Sequence, residues 1–373
     1  MPLRAAFGLY LEHTMSNNNG ARDNTTQTQG RHLVASAGGS RAILGTAGVI
    51  LATDQAGIKD WDTVGGVSGG SVPTSLYKSK KLSAKDTLKL CLDIDFSSML
   101  TRHGSILQIV FAYFMQGRFE KSRPRHGVMS SEKLGEYIDD KVRDPKTGEP
   151  VWPKGFWTMA VVGNSQVLFD EFGVREISPE GVVKVLSETP APLGLAVRAS
   201  CAVPGIISAV PYKGRWLFDG ALSRDGSCPV EIPQRYYGAT HPEIIACSVG
   251  DDNKTSKRVL RLWKWICGGA CVPAFEEPEL SREKGMIVIE PELTNFRSLQ
   301  FTLTRDQKWT AVMESYATAV AELEKAGHMT GQALADAKQI MAAYSEIQKA
   351  AEDSEPGLLS LLTEDLLTKY GLY

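Results

Sequence analysis

Gly66-Val67-Ser68-Gly69-Gly70 sets one hydroxyl among glycines in the pattern G-x-S-x-G. Glycine is costly to order, so a cluster marks backbone that turns sharply or passes close to another group. In this pattern the serine sits on a tight strand-to-helix turn that exposes its Oγ and points a helix N-terminus at it. The chemistry served by such a turn is nucleophilic attack of Ser68 on an acyl carbonyl. About thirty residues upstream, "SAGGSRA" (36–42) places Gly38 and Gly39 where a strand gives way to a helix, so that backbone amides can face an anion. In acyl transfer such amides bind the developing oxyanion, each donor worth about 10²–10³ in rate. A plain tight turn is the other meaning of those glycines. Phosphate-binding patterns fail: no lysine stands where a P-loop needs one, and "AGGSRAILGTAG" lacks the dinucleotide spacing.

The elements around these residues must hold them. "HLVASA" (32–37) predicts a short strand, the run from Arg41 to Gly57 a helix, and "WDTVGGVS" (61–68) a second strand. Strand, glycine turn, helix and strand in that order imply parallel pairing. Serine-initiated runs at 83–95, 105–116 and 130–142 have helical apolar spacing. Strands are predicted at 156–164 and 166–172, over 175–183, and at 215–221, 243–250 and 285–293. From Trp309 the residues Val312, Met313, Tyr316, Val320 and Leu323 recur at helical spacing, so the last quarter is helical.

The same residues resemble the patatin-like acyl hydrolases, a family with a glycine-rich loop, a G-x-S-x-G nucleophile and a later D-G-[GA]. Here these are "AGGSRA" (37–42), "GVSGG" (66–70) and "DGA" (219–221), in the family's order, and the stretch 198–232 leading through Asp219 is similar too. Ala37 and Ala42 stand where the family's outer glycines would be, and the loop after Asp219 is longer than usual. The resemblance covers roughly residues 32 to 325. It implies an α/β fold, a three-layer αβα sandwich with a mainly parallel central sheet, followed by a helical C-terminal extension. It leaves both ends unexplained: the polar stretch 16–30 and the helical spacing of the last quarter divide the chain into a mobile N-terminal segment (1–31), a catalytic domain (32–302) and the extension (303–373).

The resemblance also implies a Ser68–Asp219 dyad without histidine, in which Asp219 accepts the serine proton. Gly38, Gly39 and Gly69 are then the oxyanion-hole candidates, Arg41 is a candidate contact for an anion or headgroup, and no cofactor or metal is needed. The substrate class is a phospholipid or another lipid ester, of phospholipase A or lysophospholipase type. Two rivals stand beside it: a Ser68-Asp219-His241 triad in α/β-hydrolase order, and a non-catalytic relative that binds an acyl chain or a protein partner.

Composition bounds the rest. The 373 residues are 43% hydrophobic and 23% charged, and 41 Lys plus Arg nearly cancel 43 Asp plus Glu, so no global field points to nucleic acid. The N-terminus lacks a convincing signal peptide, and the apolar run 106–115 is half the length a spanning helix needs, so the protein is expected in the cytoplasm. That run with its basic neighbours Arg118, Lys121, Arg123 and Arg125, and the segment 257–269 with Trp263 and Trp265, fit either peripheral membrane contact or ordinary packing. Six scattered cysteines imply reduced thiols, with Cys267 and Cys271, whose spacing is not C-x-x-C, read as a structural or incidental pair in preference to a metal or redox site. Whether a protein activator is needed is not legible.

Overall fold

The computed structural model describes residues 31–79, 82–102, 127–144, 146–223, 225–249, 280–293, 295–297, 300–352 and 354–373. The N-terminal segment, the runs at 106–125 and 257–269, and the Cys267–Cys271 pair lie outside the described residues. The elements are, in chain order, β1 (His32–Ala35), α1 (Gly39–Gln55), β2 (Thr63–Gly66), α2 (Ser71–Lys78), α3 (Ala84–Asp93), α4 (Phe96–Met99), β3 (Thr101–Arg102), β4 (Met129–Ser130) and α5 (Glu132–Val142). Next come β5 (Phe156–Val162), β6 (Ser165–Asp170), β7 (Gly173–Ile177), β8 (Val183–Ser187), α6 (Leu193–Ser200), β9 (Val210–Tyr212), β10 (Arg215–Asp219), α7 (Glu231–Tyr237), β11 (Ile244–Cys247) and β12 (Ile287–Ile289). Three helices close the chain: α8 (Arg305–Lys325), α9 (Gly331–Ala351) and α10 (Leu358–Lys369).

The sheet runs β12-β11-β1-β2-β5-β6-β7-β8, with β10 beside β5 and β9 beside β10. Pairing is parallel from β12 to β5 and antiparallel from β5 to β8. The fold is therefore the expected mixed α/β architecture with a mostly parallel centre. The apolar alternation along the strands explains the two covered faces. Leu33, Ile245, Ile287 and Ile289 join one cluster with α1, α3 and α8, whereas Val34, Ile244, Ala246 and Val288 join another with Cys228, Val230 and Ile232.

Helix α1 is apolar nearly all round, and an all-round apolar helix has to be enclosed. It is enclosed: Leu44, Ile50 and Leu51 share one cluster with Trp309, Val312, Tyr316 and Leu323 of α8, and Leu359 and Leu367 of α10 belong to the same cluster. A capping box, Thr304 with Gln307, starts α8.

Strand β2 is built tightly against β5. Gly65 pairs with Trp157 in register, and a Cβ at Gly65 would stand 1.9 Å from the fully buried indole. Gly65→Ala is expected to cost roughly 3 kcal/mol through forced displacement of that ring. A lowered urea midpoint at unchanged m-value would measure it.

Candidate active site

The sheet register brings positions 68 and 219 together. Strand β2 runs parallel to β5 and ends with Gly66 opposite Thr158, while β10 runs antiparallel to β5 and ends with Asp219 opposite Ala160. The two strands lie along the same side of β5 and meet end to end, two residues apart. The turns that leave β2 and β10 therefore emerge at one place.

On the β2 side the chain enters a single 3-10 turn, Ser68–Gly70, and continues directly into α2. Ser68 adopts φ +52°, one of two non-glycine residues with positive φ among the described residues. That conformation costs an L-residue about 1–2 kcal/mol, so the surroundings must hold it. The Ser71 hydroxyl donates to the Ser68 carbonyl at 2.6 Å, and Thr158 Oγ1 donates to the Gly66 carbonyl at 2.8 Å.

On the β10 side the Asp219 carboxylate divides its oxygens. Oδ1 accepts the Ala221 N–H at 2.9 Å, and Oδ2 accepts the Ser68 hydroxyl at 2.7 Å. Both residues are buried, Ser68 at 6% exposure and Asp219 at 3%. Removal from water pushes the Asp219 carboxyl up from 3.8 to about 7, against the opposing pull of its bonds to Ser68 and Ala221. The result is a carboxyl poised near neutrality and already bonded to a hydroxyl.

The glycine loop lies against the same turn because β1 and β2 are parallel neighbours ending level, Ala35 opposite Gly66. Gly38 has φ +152° and Gly39 φ +58°. A Cβ at Gly69 would stand 2.1 Å from the Gly39 carbonyl, so glycine is required where loop and turn touch. Gly39 is the first residue of α1, whose leading amides have no partner within the helix. Gly38, Gly39 and Gly69 are thus gathered beside Ser68.

Arg41 lies buried behind the glycine loop, whose Gly38 approaches Val249, and His241 is placed elsewhere. Arg41 is 5% exposed and donates to the Val249 carbonyl at 2.7 Å, tying α1 to the segment after β11. His241 precedes β11, whose first residue Ile244 is level with His32 and, through it, with Thr63 at the start of β2. Ser68 emerges beyond the far end of β2. His241 therefore stands toward the opposite end of the strands, at least three residue rises or about 10 Å away.

Sequence reasoning missed Ser200. Its Oγ accepts the Ser68 N–H at 2.9 Å, fully buried at the last residue of α6. Only the adjacency of small residues in "RASCAVP" hinted at close packing there. A separate cleft of about 340 Å³, lined by Gln166, Asp225, Arg235 and Tyr236 among others, includes neither Ser68 nor Asp219. Among the described residues no group of His, Cys, Asp and Glu could hold a metal ion, and no helix is long and apolar enough to cross a membrane.

A family model described as patatin-like phospholipase matches residues 33–232. Among solved structures, VipD from Legionella pneumophila is similar at 15% identity, with 95% of this chain and 86% of that one covered and a TM-score of 0.45. The type III effector protein ExoU, from Pseudomonas aeruginosa, is similar at 14% identity, with 92% and 69% covered and a TM-score of 0.40. Human GIVD cytosolic phospholipase A2 is similar at 12% identity, with 88% and 62% covered and a TM-score of 0.42. No curated protein sequence matches the chain.

Proposed function

Since the chain belongs to the patatin-like phospholipase family, we propose that it is a lipid acyl-ester hydrolase of phospholipase A or lysophospholipase type, working through a Ser68–Asp219 dyad. The observation that carries this is the 2.7 Å bond from the Ser68 hydroxyl to Asp219 Oδ2, at a serine held in positive φ.

In this mechanism ionised Asp219 takes the Ser68 proton as Oγ attacks the ester carbonyl. The tetrahedral oxyanion is met by the amides of Gly38, Gly39 and Gly69. Collapse breaks the ester bond, and Asp219 returns its proton to the departing alcohol oxygen. Water, deprotonated by Asp219, then attacks acyl-Ser68, releasing the fatty acid and restoring the serine. A carboxyl lifted to about 7 is a far better proton acceptor than an ordinary one and is half ionised at neutral pH and ionised above it. Arg41 would brace the glycine loop from inside. Residues 32–302 would carry the chemistry, with 303–373 supporting α1.

The test combines a fluorophosphonate probe with phospholipid vesicles. Labelling of the wild type, loss of labelling in Ser68→Ala, and vesicle hydrolysis within about twofold of wild type in His241→Ala support the dyad. Hydrolysis lost in His241→Ala would favour a triad, and a chain that neither labels nor hydrolyses would be a binding protein.

A further inference from the structure

The turn at the end of α6 touches both partners of the dyad through their backbones. Ser200 Oγ accepts the Ser68 N–H at 2.9 Å, and two residues later the Ala202 carbonyl accepts the Asp219 N–H at 2.9 Å. We infer that Ser200 is a positioning residue for Ser68, and that the turn at residues 200–202 is the spacer fixing the nucleophile against Asp219. This inference rests on the dyad reading above.

A serine at φ +52° relaxes to ordinary backbone by rotating its flanking peptides unless they are pinned. The Ser71 hydroxyl pins the carbonyl of Ser68, but Ser71 belongs to the same turn and moves with it. Ser200 is 132 residues away in sequence and pins the amide from outside. Its own support is rigid: Asp139 of α5 accepts the Gly194 N–H at 2.7 Å at the start of α6, and a Cβ at Gly194 would stand 2.0 Å from the Gly135 carbonyl. Both helices are locked by that approach. A consequence is that the Ser68 amide is already engaged, which leaves oxyanion binding to the glycine amides.

Loosening this spacer alters the proton chemistry as well as the rate. The Ser68 bond favours ionised Asp219, so weakening it moves the carboxyl's titration upward. Among the described residues the titratable group coupled to Asp219 is the Cys201 thiol, which burial pushes up, so it stays neutral across this range.

The experiment measures vesicle hydrolysis against pH for wild type, Ser200→Ala, Ser200→Cys and Ser200→Thr, with thermal melts of each. Cysteine keeps the volume but accepts hydrogen bonds poorly, whereas threonine retains the acceptor. The expected result is kcat about 10²-fold lower at unchanged KM in Ser200→Ala and Ser200→Cys, the scale on which small misplacements act. Their acid limb should move above that of wild type, and Ser200→Thr should recover most of the rate. Should Ser200→Ala not fold, Ser200→Cys reads the same limb. Unchanged kcat in the folded variants, or a loss with the acid limb unmoved, overturns the inference. Hydrolysis persisting in Ser68→Ala would instead overturn the dyad reading.

Discussion

Ser68→Ala is expected to lower vesicle hydrolysis by about 10⁶-fold and Asp219→Asn by about 10⁴-fold, the scales on which a nucleophile and its carboxylate partner act in serine hydrolases. The asparagine variant is the sharper test because its amide can still accept the Ala221 N–H and reach Ser68 Oγ, so the site keeps its shape while losing its base. Combining the two substitutions should cost little more than Ser68→Ala alone, since residues acting as a unit are not additive. Steady-state kinetics on the purified variants decide this. An Asp219→Asn variant within tenfold of wild type would leave Ser68 without a required carboxylate.

The second large effect is a pair of pH responses with opposite signs. Asp219 must be ionised to accept a proton, so kcat/KM should rise about tenfold per pH unit up to about 7 and then level off. At pH 5 the rate should be roughly 100-fold below the plateau. Stability runs the other way. The folded carboxyl titrates at about 7 rather than at its ordinary 3.8, so its contribution is fully present below 3.8 and is lost as pH rises through about 7. At about 1.4 kcal/mol per pH unit, that interval corresponds to roughly 4 kcal/mol. Asp219→Asn, which has no charge to bury, should therefore unfold at higher urea than wild type at pH 8 and match it near pH 4. Denaturation series at the two pH values measure the difference. A wild type that gains stability over the variant from pH 4 to 8 would mean the carboxylate is well solvated.

The three glycine and aspartate motifs were legible in the sequence because their requirements are local. Gly69 must lack a Cβ to pass Gly39, and a serine before it must turn out of a strand. Predicted strands at 61–68 and 215–221 contain β2 and β10. That these strands abut along β5 is a non-local pairing, which no periodicity announces. Helix α6 was missed because it has Pro192 at its N-cap and no side-chain cap, and α7 because it carries Pro233 in its first turn. Losing α6 from the reading meant losing Ser200. The burial of Arg41 is not written in its neighbours along the chain: α1 is enclosed and carries the guanidinium into the interior. Likewise, nothing in an aspartate's neighbours along the chain reveals a carboxyl lifted to near neutrality; only the enclosure of the folded site does that.

The head-to-head joint of β2 and β10 makes the alignment of the two reactive groups a matter of whole steps. Each strand is indexed by hydrogen bonds to the shared backing strand, and slippage that keeps those bonds moves in pairs of residues, about 7 Å at a time. Distant changes can then weaken the protein without detuning it by fractions of an ångström. Single-residue insertions between Thr63 and Gly66 or between Arg215 and Asp219 should therefore give inactive protein, with no graded series of partly active forms.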